Sequence, residues 1–409
     1  MIGRIARRFS STAAATTRNA PTAGRVPKYG QYFIPTVDES VNFQVGQPAP
    51  SMLPLEMIRK CSANKMAEED PLLLQYGYIS GYPAFRQSLS NFLSKNYERD
   101  VSPDSVFATT GVTGGLSLIC SLYLGRGDLV FTEEPSYFLA LSIFKDYGVN
   151  VNQIPMEHDG IDIENLEKRL KQGMIPKFLY TIPTAHNPTG RTMSAEKRQR
   201  LVELSEEYGF TILADEVYQL LTFPHVKPPP PMCAFDREGT VMSLGSFSKI
   251  LAPALRMGWV EGPEHHLQKL FSCGQLDSSG GMNPVISAVV HEAIESGEQQ
   301  KHLDWTRNIL WERASTLMKA LDQHLPEGSS YEVPDGGYFV LVKLPEDVKA
   351  VDVLDKAKSE HKVQFLPGAS FGESMQNYLR LSFSYYDAED LAVGAKRLSD
   401  AIRSVTGQS

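Results

Sequence analysis

Cysteine is scarce in this chain of 409 residues, which contains only Cys61, Cys120, Cys233 and Cys273. The four lie far apart, and none forms a CxxC pair or has the spacing of metal ligands. This excludes a disulfide framework and predicts reduced, mostly buried thiols of an intracellular compartment. The nine histidines form no HExxH-like cluster, so the sequence predicts no metal site.

Long apolar runs and basic stripes are also missing. No segment approaches the roughly 18 apolar residues that span a bilayer, so we predict no transmembrane helix. The net charge of −8, with no basic stripe interleaved with aromatic residues, argues against nucleic-acid binding. We therefore predict small-molecule partners, with no nucleic acid and no membrane among them.

Acidic residues are absent before Asp38, and Ser, Thr and Ala fill much of this stretch. Its six positive charges are Arg4, Arg7, Arg8, Arg18, Arg25 and Lys28. This composition is typical of an organellar transit peptide, and the lack of a long apolar core argues against a secretory signal. We predict mitochondrial targeting, with residues 1–25 as the leader. The alternatives are a disordered basic arm that is never removed and a cytoplasmic protein.

Short β-rich runs alternate with helical patterns from about residue 100 to residue 260. We predict strands at 105–109, 177–182, 210–214 and 240–244, and helices at 116–124 and between Ser194 and Gly209. This alternation predicts an α/β fold with a mostly parallel sheet sandwiched by helices. Ligands bind such sheets at the carboxyl ends of the strands.

The last hundred residues have a different pattern, with a helix near 303–325, strands at 337–342 and 377–383, and a final helix from about Ala388. We predict a smaller α+β domain here, completed by an N-terminal segment. The predicted boundaries are 26–55 for the N-terminal arm, 56–305 for the large domain and 306–409 for the small domain.

Lys249 is the first candidate catalytic residue. A lysine amine attacks a carbonyl only after it loses its proton, as in Schiff-base chemistry. Lys249 follows a predicted strand and two serines, Ser246 and Ser248, and Arg256 lies seven residues further on. Hydroxyls and a guanidinium beside one amine suit an aldehyde that also carries a phosphate, which describes pyridoxal phosphate. Most lysines are solvated surface charges, so this interpretation depends on the rest of the site.

Candidates for the remaining contacts follow predicted strands. The turn 109–115 precedes an apolar helix, where free amides suit a phosphate. Asp215 could hold the pyridine nitrogen protonated, although it could also merely cap the next turn. Asn187 and Tyr218 could donate to the 3′-oxygen, and Tyr137 could stack on the ring. Arg380, set among apolar neighbours, suits the substrate α-carboxylate.

These motifs resemble the class I/II aminotransferases, which are fold-type I pyridoxal phosphate enzymes. The resemblance covers roughly residues 40 to 405, in the expected order. Its motifs are Asn187-Pro-Thr-Gly190, Asp215-Glu-Val-Tyr218, Ser246-Phe-Ser-Lys249 with Arg256, and Leu379-Arg-Leu-Ser-Phe383. They loosely indicate the branch that holds kynurenine, 2-aminoadipate and aromatic aminotransferases.

The resemblance implies a catalytic role for Lys249, Asp215 and Tyr218, with Lys249 as the internal aldimine and proton shuttle. It implies a homodimer in which Tyr76 reaches the phosphate of the partner subunit. It also places the backbone of Gly46, with Asn187 and Arg380, near the substrate carboxylate.

The chain departs from the family pattern in a few places. Val112 and Thr113 stand where many relatives have Ser and Gln beside the phosphate, so backbone amides could do more there. Ala254 replaces a frequent glycine, and Gly280-Gly-Met-Asn283 is unusual. None of these departures removes a catalytic group.

The expected activity is ping-pong transamination between an L-amino acid and a 2-oxo acid. Two alternatives stay open: a C–S lyase that catalyses β-elimination on the same scaffold, and a catalytically silent regulator that binds the cofactor. The segment 276–284 contains no arginine for a distal carboxylate, which favours apolar or aromatic amino acids over aspartate.

Overall fold

The computed structural model describes residues 39–408. The predicted leader at residues 1–25 and part of the predicted arm therefore lie outside the described residues. The helices are α1 Leu55–Met66, α2 Pro83–Tyr97, α3 Gly111–Tyr123, α4 Phe138–Asp146, α5 Ile163–Lys171, α6 Ala195–Tyr208, α7 Phe247–Ile250, α8 Glu264–Phe271, α9 Gly274–Ser279, α10 Pro284–Glu295, α11 Glu298–His324, α12 Ala350–Ser359 and α13 Ala388–Thr406. The strands are β1 Val41–Asn42, β2 Val106–Thr109, β3 Leu129–Glu134, β4 Asn150–Glu157, β5 Gly160–Ile161, β6 Phe178–Thr181, β7 Thr211–Asp215, β8 Val241–Ser246, β9 Gly258–Glu261, β10 Ser330–Tyr331, β11 Phe339–Lys343, β12 Val363–Gln364, β13 Leu366–Pro367 and β14 Tyr378–Ser382.

An eight-stranded sheet organises the middle of the chain, with the strand order β2-β9-β8-β7-β6-β3-β4-β5. Strands β4, β3, β6, β7 and β8 pair in parallel, whereas β9 is antiparallel to both β8 and β2. Strand β2 therefore runs in the same direction as β8. The carboxyl ends of β2, β8, β7, β6 and β3 consequently meet at one edge, and the predicted fold class is confirmed.

Burial explains why the inner strands β6 and β8 contain no charged residue. Every residue of β6 and β8 is buried, as expected for strands that helices cover on both faces.

Helix α6 shows most clearly how local sequence sets the ends of a helix. The Ser194 hydroxyl accepts a hydrogen bond from the Lys197 amide at 3.3 Å and caps the helix. Gly209 ends it with a φ of 75°, so both predicted boundaries are confirmed.

A second sheet, antiparallel and ordered β10-β11-β14-β13, carries Arg380. Arg380 lies on β14 opposite Leu341 of β11 and Leu366 of β13. The short strand β1 pairs in parallel with β12 and so joins residues near the start of the described chain to the C-terminal part. These pairings fit the predicted α+β body with an N-terminal contribution, while the domain boundaries stay predictions. Within residues 39–408, none of the helices has the length and apolarity needed to cross a membrane.

Candidate active site

The carboxyl edge of the eight-stranded sheet gathers most of the predicted site residues. Asp215 is the last residue of β7, and Ser246 ends β8 and caps the short helix α7, which contains Lys249. Strand β6 leads into the loop 182–190, which contains Asn187. Strand β2 leads into α3. The parallel register of the sheet, rather than sequence proximity, therefore brings these segments together.

Lys249 is partly buried within this edge. Its Nζ donates a hydrogen bond to the carbonyl oxygen of Gly46 at 2.7 Å and lies 5.0 Å from the centre of the Tyr338 ring. Burial lowers the pKa of Lys249 to about 8, and the positive charges of Arg380 and Arg256 act in the same direction. The carboxylate of Asp215 opposes them. This amine loses its proton far more readily than a surface lysine does.

Asp215 is 4% exposed and faces the same site. Its Oδ2 accepts a hydrogen bond from the Tyr180 hydroxyl at 2.7 Å, and its Oδ1 accepts one from the Val217 amide at 3.4 Å. Burial raises the pKa of Asp215 to about 6, against the effect of the Tyr180 hydrogen bond. The neighbouring Glu216 has a different partner, because its Oε1 accepts from the Met232 amide at 2.7 Å. Asp215 thus both caps the turn, as the alternative interpretation had it, and faces Lys249.

Arg256 lies against the start of α3. Its Nη2 donates to the carbonyl oxygen of Thr110 at 2.8 Å, and its Nη1 donates to the Ser248 hydroxyl at 3.2 Å. The Ser246 hydroxyl donates in turn to Ser248 at 3.0 Å. Gly111 has a φ of 85°, and a Cβ there would lie 2.9 Å from Arg256 Nη2 and push the guanidinium out of its present position. The two serines, the arginine and the helix N-terminus therefore form one polar cluster.

Val112 and Thr113 occupy the first turn of α3, which begins at Gly111. The Val112 side chain packs against the apolar cluster behind the sheet, whereas Thr113 is exposed. The first-turn amides of a helix have no acceptors within the helix. Their backbone N–H groups, rather than the Val112 side chain, can consequently serve an anion at this end.

Arg380 is buried at the other side of Lys249. Its Nη1 donates to Asn187 Oδ1 and its Nη2 to the carbonyl oxygen of Gln44, both at 3.0 Å. Its Cζ lies 3.9 Å from the centre of the Phe339 ring and 5.3 Å from that of Phe371. Burial lowers the pKa of Arg380 to about 10. Among residues 39–408, no acceptor pairs with its buried Nε–H.

The tyrosines of the predicted site divide into two groups. Tyr218 is buried, with its ring centre 5.6 Å from that of Tyr338 and 6.2 Å from that of Phe339. Burial raises the pKa of Tyr218 well above its usual range; Tyr338 and, to a smaller extent, Tyr137 and Asp215 act in the same direction, and the charge of Arg380 opposes them. Tyr76, by contrast, is 78% exposed. The structure therefore places Tyr218 and Tyr137 with the central residues, while Tyr76 lies on the surface.

Sequence reasoning missed several residues of this site. Tyr180 could have been found, because its hydroxyl interrupts the apolar strand Phe178–Thr181 two residues before the loop 182–190. Tyr338 donates from its hydroxyl to the carbonyl oxygen of Lys249 at 3.2 Å. That contact spans 89 residues and has no local sequence signal. Phe371 lies in the segment that leads into β14 and contacts Arg380 from there.

The donor set fits pyridoxal phosphate and does not fit a metal ion. The Lys249 amine, partly buried and with a lowered pKa, suits an aldehyde, and the buried carboxylate of Asp215 suits a protonated ring nitrogen. The polar cluster around Arg256 suits a phosphate group. In the described part of the chain, no group of three His, Cys, Asp or Glu side chains could hold a metal ion.

Comparison with known proteins agrees with this geometry. The model of the family "aminotransferase class I and II" matches residues 38–398. The chain is 34% identical over 365 residues to aromatic-amino-acid aminotransferase 1 of Thermococcus litoralis, covering 88% of this chain and 87% of that protein. It is 31% identical over 371 residues to an uncharacterized HTH-type transcriptional regulator of Bacillus subtilis, covering 90% of this chain and 75% of the regulator.

A solved structure is similar over nearly the whole described chain. The kynurenine aminotransferase of Pyrococcus horikoshii superposes with a TM-score of 0.84 at 33% identity, covering 90% of this chain and 92% of that one. Its crystal structure was determined with pyridoxamine phosphate and kynurenine. The chain therefore belongs to the aminotransferase class I and II family and is a transaminase that uses pyridoxal phosphate.

Proposed function

We propose that the protein transfers the amino group of an L-amino acid to a 2-oxo acid in two half-reactions, by a ping-pong mechanism. The first 2-oxo acid leaves before the second one binds. The observation that carries this proposal is the position of Lys249 Nζ, which is hydrogen-bonded to the Gly46 carbonyl oxygen and lies within the electrostatic influence of Asp215 and Arg380. A single proton carrier at this position can serve both half-reactions, because each half-reaction moves a proton close to the bound carboxylate of the substrate.

Pyridoxal phosphate, when bound, supplies an aldehyde that links to amines and a ring that accepts electrons. The protein supplies the amine and the proton transfer. With a pKa of about 8, about one Lys249 amine in ten is neutral at pH 7, against about one in three thousand for a lysine with a pKa of 10.5. Lys249 can therefore act as nucleophile and then, once displaced by the substrate amine, as the base that takes the Cα proton.

The polar neighbours of Lys249 would hold the cofactor. Arg256, Ser248 and the first-turn amides of α3 would bind its phosphate. Asp215, oriented by Tyr180, would keep the ring nitrogen protonated, because a buried carboxylate stabilises a cation beside it. On the 3′-oxygen, Asn187 and Tyr218 would act as hydrogen-bond donors. The Tyr137 ring would stack on the pyridine face.

Arg380 would bind the substrate α-carboxylate. A guanidinium binds a carboxylate through two parallel hydrogen bonds, and the buried Nε–H of Arg380 is available for one of them. The rings of Phe339 and Phe371 lie against the same guanidinium, which gives this side of the site an apolar surface. Together with the lack of an arginine in 276–284, this supports an apolar or aromatic amino donor.

A second copy of the chain would complete the site. Leu72, Leu74 and Tyr76 are each more than 70% exposed, and Leu55 is 79% exposed. Apolar groups this exposed favour burial against another protein surface. In the homodimer that we propose, Tyr76 reaches the phosphate of the partner subunit. Leu72→Glu/Leu74→Glu should sediment as a monomer and bind cofactor weakly; a dimer of normal affinity would contradict the proposal.

We also propose that residues 1–25 direct the protein to mitochondria, because this stretch carries five arginines and no acidic residue. The test is a fluorescent fusion of the full chain beside one with these arginines changed to glutamine. Mitochondrial signal from the first fusion alone supports targeting. A cytoplasmic signal from both would contradict it.

A single half-reaction separates transamination from the alternatives. Purified holoenzyme is mixed with one amino acid and no acceptor, and the 2-oxo acid and ammonia are quantified. A transaminase releases about one 2-oxo acid per active site and no ammonia, then resumes when 2-oxoglutarate or pyruvate is added. A C–S lyase given a cysteine conjugate releases pyruvate and ammonia over many turnovers. A silent regulator shows no reaction with any donor in a panel of aromatic, aliphatic and acidic amino acids.

A further inference from the structure

The loop 280–283, with the sequence Gly-Gly-Met-Asn, joins α9 to α10. Its last residue, Asn283, precedes Pro284 at the start of α10. Asparagine here usually caps its helix through its side-chain oxygen, but Asn283 makes no such hydrogen bond. Its Nδ2 instead donates to the carbonyl oxygens of Leu255 at 2.9 Å and Arg256 at 3.2 Å. The side chain thus binds the backbone that carries Arg256.

Arg256 needs such support because its backbone is strained. Its φ is 48°, in the left-handed region that residues with a Cβ avoid at a cost of about 1 kcal/mol or more. This conformation points the guanidinium at Thr110 and Ser248. Relaxation to a negative φ would turn the side chain away from both.

The opposite side of the loop is packed tightly. Gly280 and Gly281 have positive φ values of 63° and 43°, which residues with a Cβ rarely adopt. A Cβ on Gly280 would lie 2.8 Å from the carbonyl oxygen of Gly77, and a Cβ on Gly281 would overlap the Tyr78 carbonyl. The loop is therefore held between the backbone of residues 76–78 and that of residues 255–256, and Asn283 has little freedom to shift.

We infer that Asn283 is a positioning residue for the cofactor phosphate, acting through Arg256. Its amide holds Arg256 in the left-handed conformation, and Arg256 contacts the phosphate. The inference rests on the phosphate-binding role proposed above for Arg256. Asn283 is suited to this position because asparagine tolerates the left-handed region and offers a two-proton amide donor; its own φ is 51°.

The test compares two ligands that differ only in the phosphate. Apoprotein is titrated with pyridoxal phosphate and with pyridoxal, and the ratio of the two dissociation constants measures the phosphate contacts. Asn283→Asp keeps the size of the side chain but removes the donor, and Asn283→Gly keeps the backbone freedom without the amide. Arg256→Gln is the reference variant. Circular dichroism checks that each variant is folded.

We expect both Asn283 variants to weaken pyridoxal phosphate binding by about fivefold to twentyfold, the effect of one or two hydrogen bonds, with pyridoxal binding unchanged. The double variant with Arg256→Gln should be no worse than Arg256→Gln alone. Equal weakening of both ligands, or no weakening, would overturn the role of Asn283 even if Arg256→Gln selectively weakens pyridoxal phosphate. If Arg256→Gln does not change the ratio, the proposed phosphate site itself is wrong, and the inference fails with it.

Discussion

The buried carboxylate of Asp215 should destabilise the cofactor-free protein. The size of this effect on the free energy of unfolding follows from the change that burial makes to its pKa. Burial raises its pKa from 3.8 to about 6 in the folded state. A carboxyl whose folded pKa is raised contributes most to stability below its unfolded pKa, and that stability is lost as the pH rises through 6. This rise in pKa corresponds to a loss of about 3 kcal/mol of folding stability at pH 8, and of about half that at pH 5.

Asp215→Asn removes the charge at nearly constant size, and the Tyr180 hydroxyl can still donate to the new amide oxygen. We expect the apo variant to exceed the wild type in free energy of unfolding by about 3 kcal/mol at pH 8 and by about half as much at pH 5. Urea denaturation at equal protein concentration measures this difference. With pyridoxal phosphate added, the order should reverse, because the ligand stabilises the form that binds it better.

Glu216→Gln is the matched control. Burial raises the pKa of Glu216 to about 7, but its carboxylate bonds the Met232 amide instead of facing the site. This variant should show a similar gain in stability that grows with pH, without weaker cofactor binding. An Asp215→Asn apoprotein that is no more stable than the wild type at pH 8 would refute the reasoning from burial.

Three further predictions concern the remaining side chains of the site. Arg380→Leu should lower kcat/KM for the amino donor by about 10²–10⁴, because two charge-assisted hydrogen bonds are lost. A decrease of less than tenfold in steady-state assays would exclude Arg380 as the residue that binds the substrate carboxylate. Tyr180→Phe removes the hydroxyl bonded to Asp215 and should weaken cofactor binding about tenfold; unchanged affinity in an absorbance titration would contradict this role. The rate at which apoprotein reacts with pyridoxal should rise with pH and level off above about 8, the pKa of Lys249. A rate that still increases towards pH 10 would show that the pKa of Lys249 is not lowered from that of an ordinary lysine.

Local patterns in the sequence were sufficient to predict the elements that carry the site. Ser194 and Gly209 mark the ends of α6, and strand–helix alternation implies the parallel sheet whose carboxyl edge joins Asp215 to Lys249. The short motifs of the site can be recognised from local sequence, because they lie at strand ends, where the chain leaves the sheet.

Contacts between distant segments could not be predicted in the same way. Gly46 accepts from Lys249 across 203 residues, and Gln44 accepts from Arg380 across 336. Only the resemblance to the family places Gly46 near the substrate, and no sequence pattern points to Gln44. The stretch Gly280-Gly-Met-Asn283 is unusual in sequence, but the link from Asn283 to Arg256 depends on how the start of α10 packs against the loop before β9. The role of Tyr76 depends on a second copy of the chain.

Covalent trapping of the cofactor tests the central claim most directly. Holoenzyme reduced with borohydride fixes the cofactor to whichever amine holds it, and peptide mapping by mass spectrometry then locates the modified residue. The account predicts a phosphopyridoxyl group on the peptide that contains Lys249, and none on that peptide after prior incubation with an amino donor. Modification of another lysine, or of no lysine, would contradict it.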